Sequence, residues 1–192
     1  MKPWIPLCVF GLALGAAAYG AQRGFADAVP APVSFALQGV NGREVGNDSY
    51  LGRWSLVFFG YTRCPDFCPT ALITAGGVLD DLGPDADQIR VTFITVDPER
   101  DTASVLAAYL ESFDPRIAAL TGSPEQVAAA AKAFKVFFRK RGEPGAAGYS
   151  IDHTAAFWLL GPDGRPAEVF GYDIAAAALA AGVRRHMSAP PL

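Results

Sequence analysis

A nearly unbroken apolar run, Trp54–Tyr61, stops abruptly at Gly60-Tyr61-Thr62-Arg63-Cys64-Pro65-Asp66-Phe67-Cys68-Pro69 and is followed by a helix-forming stretch to Leu82. An apolar run of this length without polar alternation is expected of a strand buried on both faces of a sheet. Pro69–Leu82 reads as a helix with proline at its first position. A cysteine-bearing turn between a central strand and a long helix is the thioredoxin-like arrangement. Both cysteines precede a proline, and a residue before proline is pushed away from helical backbone angles. The expected picture is a tight loop, with Cys68 near the cap and the positive helix end close to both sulfurs, which favours thiolate.

The rest of the chain fills out an α/β pattern. Ser34–Leu37 and Arg43–Val45, separated by Asn41-Gly42, read as an N-terminal hairpin. Val91–Val96 is a second buried strand. Thr102–Phe113 is a helix behind Asp101 as cap. Ser123-Pro124-Glu125-Gln126 starts another helix, with Gln126 at the capping-box position, running to about Phe134. Val136–Phe138 reads as a short strand. Ala155–Leu160 and Ala167–Tyr172 flank Gly161-Pro162-Asp163-Gly164, a hairpin turn. Ala175–His186 is the last helix. Strands alternating with helices, then a hairpin and a helix, suit a sheet covered on both faces.

The first residues stand apart. Pro3 to Ala21 carries no charge between Lys2 and Arg23. As helix it covers about 28 Å at ~1.5 Å per residue, close to the hydrocarbon thickness of a bilayer. Residues 1–22 therefore read as a single-span anchor, with a cleaved signal segment as the alternative. Either places the remainder outside the cytoplasm. Cys8 lies inside this segment and reads as an apolar thiol. Residues 23–32 are an Ala/Pro/Gly-rich linker, and 33–192 form the folded domain. The net charge of −3 and the absence of a Lys/Arg cluster argue against a nucleic-acid partner.

Three cysteines and two histidines leave few donors for a thiol or soft-metal site. Cys64 and Cys68 can close a disulfide, exchange disulfides with a partner, or bind a soft metal such as Cu(I) or Zn(II). Two sulfurs under-fill a structural zinc site, which takes four ligands. Cu(I) accepts two or three. His186, among Arg184 and Arg185, reads as a helix-end cation. His153, in Tyr149-Ser150-Ile151-Asp152-His153-Thr154, precedes a buried strand, at the kind of strand end where α/β sheets build sites. A lone histidine more often fills a structural role, so spacing alone leaves it open.

The cysteine run Tyr61–Pro69 resembles the signature of the Sco/SenC family of copper proteins. Thr95-Val96-Asp97-Pro98-Glu99-Arg100-Asp101-Thr102 resembles its second motif. Asp152-His153-Thr154, followed by a strand and Gly161-Pro162-Asp163-Gly164, resembles its third. The likeness spans roughly Val33 to Tyr172. It implies an α/β, thioredoxin-like fold on a membrane anchor, facing the periplasm from a bacterial inner membrane or the intermembrane space of a mitochondrion. It implies copper, Cu(I) first and Cu(II) second, held by Cys64, Cys68 and His153. The implied role is delivery of copper to the binuclear centre of cytochrome c oxidase. The alternative is a thiol–disulfide reductase, with Cys64 and Cys68 catalytic, that keeps the oxidase cysteines reduced. Implied partners are the oxidase subunit that bears the copper centre, a copper donor protein and a thioredoxin-like reductant. Asp97 matches a position suited to the outer shell or to orienting the loop, with a cap or turn carboxylate before Pro98 as the equal alternative, and Asp152 reads equally as orienting the His153 ring or as a solvated loop residue. Asp66, between the cysteines, reads as a surface turn residue. Phe137 and Phe138 stand where tyrosines are common in the family. The Gly/Ala-rich stretch Arg139–Gly148 reads as a loop that lets His153 swing.

Overall fold

The computed structural model describes residues 30–142 and 148–189. The segment read as an anchor, Cys8 with it, lies outside the described residues. Among the described residues no helix is long and apolar enough to cross a membrane.

Among the described residues, nine strands and four α-helices follow in the order β1 (Ala36–Gly39), β2 (Glu44–Gly46), β3 (Trp54–Gly60), α1 (Phe67–Leu82), β4 (Ile89–Thr95), α2 (Ala103–Leu110), β5 (Ile117–Thr121), α3 (Pro124–Ala133), β6 (Phe138–Arg141), β7 (Ser150–His153), β8 (Ala156–Leu160), β9 (Pro166–Gly171) and α4 (Ala176–Ser188). Seven strands form one sheet in the order β2-β1-β5-β4-β3-β8-β9, and β6 and β7 form a separate antiparallel pair. β3, β4 and β5 are parallel; β1 and β8 join them antiparallel. β3 is buried from Ser55 to Gly60, as its unbroken apolar run predicts.

Successive side chains of a strand point to opposite faces, and Phe58 and Phe59 divide the core accordingly. Phe58 meets Phe93 and Phe157, and Phe93 meets Tyr109 of α2. Phe59 meets Trp158 and Phe134, at the end of α3. α1 and α4 pack against each other so closely that a Cβ on Gly77 would come within 2.9 Å of the Ala176 methyl. Helices thus cover both faces, and the architecture is the mixed thioredoxin-like one.

Local signals set several boundaries. The Asn41-Gly42 turn closes β1 on β2, with Gly42 in the left-handed region. Ser123 and Gln126 form a reciprocal capping box on α3. Three expectations are corrected. α1 begins at Phe67, so Cys68 sits inside its first turn and Pro69 one residue later. Proline costs nothing there, because the first four N–H groups of a helix have no intrahelical partner. Asp101 does not cap α2; the Thr102 hydroxyl does, accepting from the Val105 N–H. The loop expected from Arg139 starts in β6, which pairs Phe138 with His153 and Arg139 with Asp152.

Candidate metal site

Cys64 lies in the turn after β3, Cys68 in the first turn of α1, and His153 at the end of β7. Their Sγ and Nε2 atoms all lie within 4.8 Å of one another, the one such group of three or more His, Cys, Asp or Glu donors among the described residues. Both cysteines are free and buried. The Cys68 Sγ to His153 Nε2 distance is 3.7 Å. An ion bound at about 2.3 Å to sulfur and about 2.0 Å to nitrogen holds such atoms roughly 3.7 Å apart at a trigonal angle. The donor set is soft, two sulfurs and an imidazole, which suits Cu(I).

The sequence builds this pocket closely. A Cβ on Gly60 would fall 2.6 Å from Cys68 Sγ and 2.7 Å from the Phe93 ring, so only glycine lets the strand end approach the thiol. The His153 ring stands edge-on to Tyr61 and Phe58. Its Nδ1 lies 3.1 Å from the Thr154 carbonyl oxygen, which leaves Nε2 turned to the sulfurs. Asp152 does not orient that ring. It neighbours His153 on a strand, so the two side chains point to opposite faces, and its exposed carboxylate pairs with Arg139 and Arg141.

The two thiols are unequal. A hydrogen bond from the Cys68 thiol, helped by His153 and by the backbone N–H groups of Cys68 and Asp66, lowers the Cys64 thiol to about 4 against the cost of burial. The same hydrogen bond, burial and the neighbouring thiolate push Cys68 up. The pair holds one proton tightly and releases the other easily.

Asp97 is fully buried and in contact with Arg100 and Tyr149: it pairs with the Arg100 guanidinium and accepts from the Tyr149 hydroxyl at 2.6 Å. Burial, then that hydrogen bond, pushes the Tyr149 phenol up to about 12, so it stays a donor. Sequence reasoning missed Asp101, which is also fully buried. It accepts from the Thr62 N–H (3.0 Å), the Thr62 hydroxyl (2.6 Å) and the Thr95 hydroxyl (2.7 Å). Its place in the second motif was the signal, but the adjacent helix start invited the capping reading. Tyr61 and Arg100, which also stand inside the first and second motifs, were missed as well, and so was Tyr149, whose local sequence does not separate it from a core or surface residue. Asp66 is exposed, at the N-terminal boundary of α1. His186 lies at the other end of β3, beside Trp54, with Nε2 2.7 Å from a Glu168 oxygen. It is a paired group there and takes no part in the site.

The family model SCO1/SenC matches residues 26–188. The chain belongs to the SCO1/SenC family. It is 38% identical over 157 residues to the human mitochondrial SCO2 homolog, covering 81% of this chain and 59% of that protein. It is 36% identical over 155 residues to the mouse mitochondrial SCO1 homolog, covering 80% of this chain and 55% of that protein. The chain thus spans less than two thirds of the length of the curated relatives it matches. Among solved structures, Bradyrhizobium japonicum ScoI with copper bound is 39% identical, with a TM-score of 0.73 over 82% of this chain and 99% of that one. Yeast Sco1 with copper bound is 32% identical, with a TM-score of 0.77 over 84% of this chain and 91% of that one.

Proposed function

We propose that this protein binds copper through Cys64, Cys68 and His153, delivers it to the binuclear copper centre of cytochrome c oxidase and helps assemble that centre. The observation that carries the reading is the soft triad: two free thiols and an imidazole gathered within 4.8 Å. Its setting supports copper in particular, since a family member 39% identical to this chain is known with copper bound. Three donors hold Cu(I) firmly yet leave it open to a ligand from a partner, so transfer can proceed by exchange. Burial of both sulfurs keeps the cargo from water until a partner docks. Loading requires the reduced dithiol, which brings in a thioredoxin-like reductant and a copper donor protein as partners.

Residues 1–22 serve as the membrane anchor in this proposal and 23–32 as its tether. Residues 33–192 work outside the cytoplasm, in a periplasm or an intermembrane space. One observation favours a second role. The depressed Cys64 thiol and the retained Cys68 proton are the unequal pair that thiol–disulfide exchange uses, so a reductase acting on the oxidase cysteines fits the same residues.

Anaerobic titration of the reduced full-length chain with Cu(I) separates these readings. The parent binds near-stoichiometrically, and His153→Ala loses at least about ten-fold in affinity, as expected when a ligand or its support is removed. If His153→Ala keeps full affinity and full delivery, the three-ligand site is wrong and the reductase reading takes its place.

A further inference from the structure

His153 sits on β6–β7, a two-stranded sheet apart from the main one. An isolated pair of strands is marginal in water, so something else must fix where the imidazole stands. The cysteines hang from the main sheet through β3 and α1. β7 runs through Thr154 and Ala155 into β8 of the main sheet. Beyond that link, the Cys-to-His separation is set by the side-chain contacts between the two units, and among the described residues most of the polar ones start from one turn, Asp97–Asp101.

That turn is closed on itself. The N–H groups of Arg100 and Asp101 donate to the Asp97 carbonyl at 3.1 and 2.9 Å, and the Asp97 N–H donates to the Thr95 hydroxyl at 2.9 Å. One arm reaches the cysteine loop: Asp101 accepts from both the N–H and the hydroxyl of Thr62, two residues before Cys64. The other reaches the histidine strand. Arg100 Nη1 donates to the Tyr149 carbonyl at 2.9 Å, its guanidinium lies 3.6 Å from the centre of the Tyr149 ring, and the Tyr149 hydroxyl returns to Asp97. Among the described residues Arg100 Nη2 has no hydrogen-bond partner, and Asp97 and Tyr149 supply the contacts that place the guanidinium. Glu99 adds an exposed pair with Lys140 of β6 at 2.6 Å, of little weight at the surface. Between Tyr149 and His153, the Ile151 N–H donates to the Tyr61 hydroxyl at 3.3 Å, which pins the middle of β7.

We propose that the turn Asp97–Asp101 is a two-armed bracket that sets the separation between the cysteine loop and His153, with Asp101 as positioning residue for the loop and Arg100 and Tyr149 as positioning residues for the histidine. This rests on the three-ligand reading above and deepens it.

The test is a cycle of Cu(I) affinities on the full-length chain, with His153 present and with His153→Ala. Arg100→Lys keeps a cation for Asp97 but loses the planar fork that reaches Tyr149; Tyr149→Phe removes only the hydroxyl. Each costs about ten-fold with His153 in place, the low end for an outer-shell partner of a metal ligand, and nothing measurable once His153 is alanine. Thr62→Val, on the other arm, weakens binding in both backgrounds. In the metal-free chain, Arg100→Lys and Tyr149→Phe speed amide exchange at Ile151 and Thr154 and leave β3 unchanged. Equal losses in both backgrounds, no loss in either, or unchanged exchange at Ile151 and Thr154 overturns the bracket. A parent affinity unmoved by His153→Ala overturns the ligand reading instead, and the exchange measurement then decides the bracket alone.

Discussion

Cys64 and Cys68 differ by four positions, and the fold makes them chemically unlike. Cys64 receives the hydrogen bonds and Cys68 supplies one, so the first proton leaves Cys64 easily and the second is retained. Alkylation of the reduced, metal-free chain by iodoacetamide tracks thiolate. Cys64 should react at a rate flat from about pH 6 upward and falling through about 4, where an ordinary thiol's rate keeps climbing toward pH 8.5. A profile that climbs through pH 8 contradicts the asymmetry. The linkage has a definite sign. Between about 4 and an ordinary thiol value near 9, the unfolded chain holds both protons and the folded pair one, so the pair's contribution to stability rises with pH. Above 9 the unfolded chain loses both while Cys68 keeps its own, and the contribution falls. The identity of the two cysteines was legible in sequence; their inequality was not, because it depends first on which sulfur donates to the other and then on how deeply each is buried, both set by the fold.

At the scale of elements, all four helices were readable in outline, and a helix end was readable where neighbours in sequence encode it. The capping box at Ser123 and Gln126 is one example. The other end of α3 carries a testable defect. Lys135 stands in the left-handed region at φ 57°, with its N–H on the Lys132 carbonyl and the next N–H, of Val136, on the Ala131 carbonyl. This is the Schellman closure usually filled by glycine. A side chain there costs about 1–2 kcal/mol, partly offset by the entropy glycine loses on folding. Lys135→Gly should raise unfolding stability by about 0.5–1 kcal/mol in urea titration; a drop of that size contradicts the strain. Strands β5 and β7 escaped the sequence reading. Each is only four or five residues long, and such short strands are defined by what they pair with. The start of α1 was misplaced for a related reason. The bias of a residue before proline is local and weak, and at Cys68 the packing of the thiol under Gly60 prevails.

For the whole molecule, the site joins three parts of the chain, residues 61–68, 97–101 and 149–154. A ligand that binds only the assembled triad stabilises the entire fold, by about 4 kcal/mol at a thousand-fold excess over its dissociation constant. Cu(I) loading should therefore raise the thermal midpoint of the reduced chain by several degrees, and a Cu(I) chelator should return it to the metal-free value. His153→Ala should shrink the gain; a full gain without His153 places the metal elsewhere.

The sequence by itself determined the central strand, the cysteine turn, the long helix after it and the soft-donor chemistry, because these rest on residue type and on spacing within one turn or strand. It also carried the family, through three motifs in order. Only the tertiary structure decided that His153 faces the sulfurs, that Asp152 points away, and that Asp97, Arg100 and Asp101 tie the two halves of the site together. Those relations join residues 39 to 85 positions apart. Such distances are fixed by strand register and by the packing of one sheet against another, which no local pattern records.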